Sequence, residues 1–422
     1  MDFAVLSVVI LFVTLIVYLI PKVPIWVTTI MAMIAMAITG IVPWSTVYGG
    51  FSNNIMFLMA GMAVVGRACI ENGMAQKIGK VVIRIGGGSE RRMMVAVLCI
   101  SSLLSVFLVG SLTIAIMLPI IDSVLVQSFG KVRRKMVYMS LGLGSVLGNN
   151  LTGFSASSMV AASAILVESG FRAIGAFEPT MIAAPSLVLF IIFWGIWGYR
   201  LQDKWYDFDD VPLSDSVLEA EEKTYDNKKM LICGATLLFV IVGLVCYNDF
   251  GAFPLIGMCI VVLTGCIDTK TAISSIPWTT IIVAGGSIGF SKALDASGGG
   301  LLMANTILDW SGPLGQSAFG MAVILFIVGS LLSDIMNDSA TAAILMPIVL
   351  AISNALGTDP TPLVLATCFG IKLGLATPIS VVCMTQVQPA GYRFKDYLKA
   401  GGLQNVISGV CCMIGIYLVY FL

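Results

Sequence analysis

Long apolar runs separated by short polar segments make up most of this chain. A run of about 20 apolar residues is long enough to cross a bilayer as one helix. Runs of this kind lie at about 4–20, 24–42, 54–72, 136–167, 178–199, 230–247, 252–268, 278–294, 361–389 and 402–421. The pattern predicts an all-α polytopic membrane protein with about 10–11 transmembrane helices in the lipid bilayer.

Two further apolar runs, at about 93–125 and 316–353, are too long for one crossing and too short for two. Each carries a polar motif near its middle with the spacing S-x-T-x5-P: Ser111, Thr113 and Pro119, and Ser339, Thr341 and Pro347. Polar groups at bilayer depth cost free energy unless they meet a partner or a ligand. We therefore predict that each run is a re-entrant hairpin with its motif at the tip.

Basic residues give the two hairpins opposite orientations. Lysine and arginine concentrate on cytoplasmic loops. The first long run has basic residues on both flanks, at Lys77–Arg92 and Lys131–Lys135, whereas none occurs between Lys292 and Lys372. The first hairpin should open to the cytoplasm and the second to the outside. In the plasma membrane of the cell, this arrangement predicts external N- and C-termini.

The two halves of the chain repeat each other. Gly61, Gly66, Arg67 and Gly73 align with Gly286, Ser291, Lys292 and Gly298 at a constant offset. We predict an N-terminal transmembrane helix at 1–23, a first inverted repeat at 24–200, a cytoplasmic linker at 201–229 and a second inverted repeat at 230–422. Inverted repeats with broken helices are typical of secondary transporters, whose site lies at the repeat interface near mid-membrane.

Composition excludes several other classes of protein. Only 11% of residues are charged and 58% are hydrophobic, whereas soluble domains carry about 25% charged residues. A formal net charge of zero argues against nucleic-acid binding. The chain has no histidine and no C-x-x-C, which disfavours an enzyme or a zinc site. No cofactor is expected beyond a coupling ion.

At its motifs the chain resembles the ion transporter superfamily, and most closely the divalent anion/sodium symporter family. The matching positions are Asn337-Asp338-Ser339 before Pro347 and Val109-Gly110-Ser111 before Pro119. The segments Gly148–Ser155 and Ala376–Ser380 resemble the helix breaks that follow each hairpin in that family. The resemblance implies a homodimer in which a transport domain moves like an elevator against a scaffold.

The tips and breaks supply the candidate binding residues. For the substrate they are Ser111, Thr113, Asn337, Asp338, Ser339, Thr341, Thr377 and Pro378. For a coupling cation such as sodium they are Gly110, Asn149, Asn150, Thr152, Ser155, Asp338, Ser380 and, as a substitute for the cation, Lys372. Helix capping at the tips and hydroxyls bonded to their own helix are the alternative interpretations.

Three positions depart from the family pattern. Gly110 leaves only backbone where the family has an asparagine, and Asp338 adds a carboxylate to the second tip. Lys372 lies close to where a second sodium would bind, so its ammonium could replace that ion, pair with Asp338 or pair with an anionic substrate. Asp334 precedes Asp338 by four residues, which predicts two carboxylates on one helix face.

The resulting hypothesis is a secondary active transporter that carries a small anion, a di- or tricarboxylate, by symport with sodium or protons. A sodium/proton antiporter of the same superfamily is the alternative, with Asp334 and Asp338 as its exchange site. An intramembrane enzyme and a channel are weaker alternatives. The fixed carboxylate of Asp338 is the main difficulty for anion transport, because it repels an anion unless it is protonated or holds a cation.

Overall fold

The computed structural model describes residues 2–18, 20, 22–74, 77, 89–127, 132–210, 226–247, 251–334, 336, 338–375 and 381–422. Across these ranges the chain is helical and contains no strand, which confirms the predicted all-α fold. The linker residues 211–225 lie outside the description. The helix before them continues to Trp205.

The helices of the first half are α1 (Phe3–Tyr18), α2 (Ile25–Ile38), α3 (Trp44–Gly49), α4 (Asn54–Glu71), α5 (Glu90–Phe107), α6 (Gly110–Gln127), α7 (Arg134–Asn149), α8 (Ser157–Glu168), α9 (Glu178–Phe193) and α10 (Tyr199–Trp205). Those of the second half are α11 (Asn227–Tyr247), α12 (Ala252–Leu263), α13 (Thr269–Ser275), α14 (Trp278–Ala296), α15 (Gly299–Gly315), α16 (Ala318–Ser333), α17 (Asp338–Leu356), α18 (Pro360–Lys372), α19 (Val382–Gln386) and α20 (Phe394–Tyr420).

Both long apolar runs are broken at their polar motifs, as predicted. The first run ends one helix at Phe107 and starts the next at Gly110, with Leu108 in an extended conformation between them. The second run breaks between Ser333 and Asp338. The prediction that Asp334 and Asp338 share one helix face is wrong, because Asp334 caps the end of α16 whereas Asp338 begins α17.

The helices that follow each motif are interrupted as well. The chain leaves α7 at Asn149 and becomes helical again only at Ser157. It leaves α18 at Lys372 and resumes as α19 at Val382, with 376–380 outside the description. Non-helical backbone at membrane depth is tolerated only where it is buried in protein or lines a cavity. The breaks therefore mark the interior region where a ligand site is expected.

Equivalent helices of the two halves make equivalent contacts. At the offset that relates Gly61 to Gly286, α1 to α4 correspond in order to α11 to α14. The packing is reciprocal, since α4 packs on α12 and α14 packs on α2. Likewise α5 packs on α7 as α16 does on α18, and α9 packs on α20. The tip helices cross between halves: α6 packs on α19 and α17 on α8.

Apolar surface identifies the chain as an integral membrane protein. In the described part, five helices are long and apolar enough to cross a bilayer, or up to seven if each bent pair counts as one crossing. Leu231, Leu238 and Val245 lie at seven-residue intervals on α11 and are each more than half exposed. Soluble monomers rarely expose such continuous apolar faces. The count of about ten or eleven crossings remains a prediction.

The centre of the molecule consists of helices that are buried on every side. All side chains of α7 from Lys135 to Asn149 are buried, and so are all those of α18. Glycine allows the closest approach between α5 and α7, where a Cβ on Gly148 would lie 2.0 Å from the carbonyl oxygen of Ser102. A Cβ on Gly370 would lie 2.2 Å from the carbonyl oxygen of Phe326 on α16. These contacts hold α5 against α7 and α16 against α18.

Helix α15 was not predicted from the sequence. It begins after Gly298, whose φ of 77° requires glycine, and it is kinked at Gly312 next to Pro313. Asn305 and Asp309 interrupt the apolar pattern before this kink, which explains why the sequence does not predict the helix. The helix packs on α1 and α17, so it supports the outer side of the second tip helix.

Candidate functional site

A buried ion pair lies at the second tip. The Nζ atom of Lys372 is 2.5 Å from Oδ2 of Asp338, and the two side chains are only 5% and 12% exposed. The hydroxyl of Ser333 donates to the other carboxylate oxygen of Asp338 at 3.1 Å. Of the three roles considered for Lys372, the structure supports pairing with Asp338. The carboxylate is thereby neutralised, which removes the main objection to an anionic substrate beside it.

Helix ends place both charges of this pair. Asp338 is the first residue of α17 and Lys372 the last of α18. A carboxylate at a helix N-terminus and an ammonium at a helix C-terminus both interact favourably with the helix dipole. Because α17 packs along α18, the two helix ends meet at the break between α16 and α17.

The second tip also contacts the first repeat. The hydroxyl of Ser339 donates to that of Ser157 at 3.4 Å, and Ser157 is the first residue of α8. Thr341, two residues further along α17, is fully buried. The tip of one repeat therefore lies against the helix break of the other, as expected for a site at the repeat interface.

At the first tip, Gly110 is fixed by its neighbours. A Cβ added there would lie 2.8 Å from Sγ of Cys383, 3.3 Å from the carbonyl oxygen of Ser145 and 3.5 Å from Nδ2 of Asn149. The start of α6 thus lies against α7 and α19 with no room for a side chain. The packing therefore favours glycine at this position.

Around Gly110, several buried oxygens lack a hydrogen-bond partner. In the part of the chain that the structure describes, they are Oγ1 of Thr113, Oγ of Ser145, Oδ1 of Asn149 and Oδ1 of Asn150. A buried polar atom without a partner is costly, so such a group usually has an ion, a water or a ligand. Hydroxyl and amide oxygens beside the end of α7 fit a small hard cation such as sodium.

Thr152 and Ser155 are already engaged within the first break. Their hydroxyls lie 2.7 Å apart, Thr152 donates to the carbonyl oxygen of Val106, and Ser155 donates to that of Asn149. These bonds tie the break to the end of α5. Both residues were predicted as cation ligands, but their observed bonds hold the non-helical backbone in place.

Some predicted residues cannot be placed, and others were not predicted. Asn337, Thr377, Pro378 and Ser380 lie outside the described residues. Ser333, Ser145, Ser157 and Cys383 contact the tips but were not singled out from the sequence. Ser145 had a usable signal, because it precedes Asn149 by four residues and so shares its helix face.

A cavity of about 400 Å³ opens between the first tip, the first break and α4. Its polar wall includes Arg67, Ser111, Ser155, Ser157, Ser274 and Thr280. Ser111 and Ser157 lie in the first turns of α6 and α8, where unpaired backbone N–H groups favour an anion. The volume lies in the range of small-molecule sites.

Comparison with known proteins identifies the family. Residues 9–370 match the citrate transporter family, CitMHS. The chain belongs to this family. The membership confirms the predicted resemblance to the divalent anion/sodium symporters, and it places the chain in a family of transporters.

Individual relatives of this CitMHS member are distant. The uncharacterized transporter YfbS of Escherichia coli (strain K12) is 26% identical over 247 residues, which are 58% of this chain but only 39% of that protein. The chain thus spans well under half of YfbS. The sodium-dependent high-affinity dicarboxylate transporter 3 of Caenorhabditis elegans is 21% identical, covering 90% of this chain and 77% of that protein.

A solved structure shares the fold. The crystal structure of the YdaH transporter of Alcanivorax borkumensis superposes with a TM-score of 0.63 at 14% identity, covering 90% of this chain and 88% of that one. At this identity the likeness shows the fold alone. Together with the family match, it supports the helix arrangement described above.

Replacing Gly110 with Ala should impair this CitMHS transporter. The new Cβ would lie 2.8 Å from Sγ of Cys383, so either this thiol or the start of α6 must shift, and overpacking of this kind costs about 1–3 kcal/mol. We expect a lower melting temperature and weaker stabilisation by sodium. The double variant Gly110→Ala/Cys383→Ala should regain much of both. A Gly110→Ala protein that responds to sodium like the wild type would contradict the close contact.

Proposed function

We propose that the protein is a secondary active transporter that moves a small anion, a di- or tricarboxylate, across the cell membrane by symport with sodium or protons. The observation that carries the proposal is the cavity at the repeat interface, where Ser111 and Ser157 lie at the starts of α6 and α8. Hydroxyl donors and helix N-termini bind carboxylates without a fixed counter-charge.

The electrostatics of the second tip support an anionic substrate. Asp338 faces Lys372, so this carboxylate carries no net repulsion toward the cavity. Ser339 bridges from the tip to Ser157, which also lines the cavity. A substrate carboxylate held by these hydroxyls would therefore contact both repeats at once.

The two halves are proposed to bind cations differently. In the first half, the partnerless oxygens of Thr113, Asn149 and Asn150 are suited to a sodium ion near Gly110. In the second half, the ammonium of Lys372 takes the place of a second ion by pairing with Asp338. Coupling would then use fewer cations than two equivalent sites would bind.

The sodium/proton antiporter alternative has less support. It needs Asp334 and Asp338 as a pair of exchange carboxylates on one helix face. Asp338 is occupied by Lys372, and Asp334 lies at the end of a different helix. Anion transport requires neither carboxylate to be free.

Movement and assembly follow from the same proposal. We infer a homodimer with elevator-type alternating access, two re-entrant hairpins and external termini. Exposed apolar faces on α9, α11 and α20 provide surface for lipid and for a second copy. Reporter fusions at the C-terminus, scored for cytoplasmic or external activity, test the orientation. Cross-linking in membranes tests the dimer, and a monomer alone would contradict it.

Uptake into proteoliposomes tests the function. Labelled succinate and citrate are supplied with an inward sodium gradient, an inward proton gradient or neither. Accumulation that depends on one of these gradients supports symport. Sodium-driven proton movement without an organic anion would support the antiporter, and absence of carboxylate uptake under all three conditions would contradict the proposal.

A further inference from the structure

Arg67 lies on a wall of the cavity where a substrate can reach its charge. It lies on α4, four residues before the helix ends at Glu71, and its side chain is 40% exposed. It aligns with Lys292 at the constant offset between the two halves of the chain. In the structure it lines the cavity together with Ser111, Ser155 and Ser157.

Among the described residues, the guanidinium of Arg67 uses only one of its nitrogens as a hydrogen-bond donor. Its Nε donates to Oε1 of Glu71 at 3.0 Å, one turn along the same helix. Within the described residues this bond uses only Nε, so both terminal nitrogens remain available for a carboxylate. A planar guanidinium binds carboxylates with two parallel hydrogen bonds. An exposed ion pair within one helix is weak, so a ligand can compete with Glu71 for the guanidinium of Arg67.

Lys292, at the matching position of the second repeat, is used differently. Its Nζ lies 2.5 Å from Oε2 of Glu168, a residue of another helix, α8. Asn53 also donates to Glu168, at 3.4 Å, so Lys292 belongs to a contact that joins three helices. The two repeats therefore differ at this position. The side chain of Lys292 joins helices, whereas that of Arg67 faces the cavity.

The cavity separates two groups of helices. Arg67 comes from α4, which packs on α12 and α13, whereas Ser111 comes from α6, which packs on α7 and α19. An anion with charge at two ends matches this arrangement of the two walls. One end meets the hydroxyls and helix N-terminus at the tip, and the other meets the guanidinium.

We propose that Arg67 binds the second carboxylate of the substrate and so makes the transporter select polyanions over monoanions. This inference rests on the proposed function, because it assumes that the cavity is the substrate site. A monocarboxylate would engage the tip and leave Arg67 with Glu71.

Ligand-induced thermal stabilisation of the purified protein tests the role of Arg67. Succinate, citrate and the monoanion butyrate are titrated at constant ionic strength, since a ligand that binds the native state raises the melting temperature. For Arg67→Gln we expect the affinity for succinate and citrate to fall about tenfold to a hundredfold, toward that for butyrate. Glu71→Gln, which frees the guanidinium, should tighten binding of both polyanions.

Two controls separate this role from a structural one. Lys292→Gln also removes a paired cation, but it should leave the preference for succinate over butyrate unchanged. Arg67→Lys should retain part of the preference. Equal affinities of wild type and Arg67→Gln for succinate would overturn the role of Arg67 alone. If no anion stabilises the wild-type protein, the proposed function fails and the inference fails with it.

Discussion

Replacing Lys372 with Met should destabilise the protein by about 3–5 kcal/mol, because the variant leaves a buried carboxylate without its partner. Asp338 is only 12% exposed and would retain a single described hydrogen bond, from Ser333. The variant should also depend more strongly on sodium, since an ion can occupy the place of the lost ammonium. Melting temperatures and uptake at increasing sodium concentration measure the two effects.

The double variant Asp338→Asn/Lys372→Met distinguishes charge from packing. It removes both charges, and replacing a buried pair by neutral groups is often close to neutral for stability. It should recover most of the melting temperature but not the added sodium response. Lys292→Met is the matched control, because its pair with Glu168 is more exposed than the pair of Lys372 and its loss should lower stability less. Unchanged uptake and unchanged sodium dependence in Lys372→Met would refute the role of the ammonium.

The sequence was informative where polar groups interrupt apolar runs. The breaks at Gly110 and Asp338 were predictable because a hydroxyl or a carboxylate inside such a run needs a partner. The partner itself was not predictable. Lys372 follows Asp338 by 34 residues, and only the packing of α17 along α18 selects pairing from the three roles open to it.

Arg67 shows the opposite limit of sequence reasoning. A basic residue near a helix end commonly extends to the membrane interface, and nothing in the sequence distinguishes Arg67 from its counterpart Lys292. Exposure to an internal cavity depends on helices far away in sequence, including the segment around Ser274 and Thr280. The sequence repeat aligns Arg67 with Lys292, but it does not show that the two residues have the same role.

Replacing Gly148 with Ala should lower the melting temperature and weaken stabilisation by sodium. The new Cβ would lie 2.0 Å from the carbonyl oxygen of Ser102, so backbone on α5 or α7 must move. Overpacking of a buried contact costs about 1–3 kcal/mol, and more where the neighbour is backbone that cannot rotate away. Asn149 and Asn150 follow directly, so the displacement should also weaken stabilisation by sodium. Melting curves with and without sodium measure both effects.

Gly402 on α20 provides the matched control for this substitution. A Cβ there meets nothing within 4 Å, so Gly402→Ala should be neutral or stabilise the helix by up to about 1 kcal/mol. The contrast between the two variants isolates the contact of α5 with α7 from the general effect of alanine in a helix. If Gly148→Ala retained the wild-type melting temperature and sodium response, α5 and α7 would not be in contact through Gly148. The first tip would then lack the support that fixes Gly110 beside Asn149.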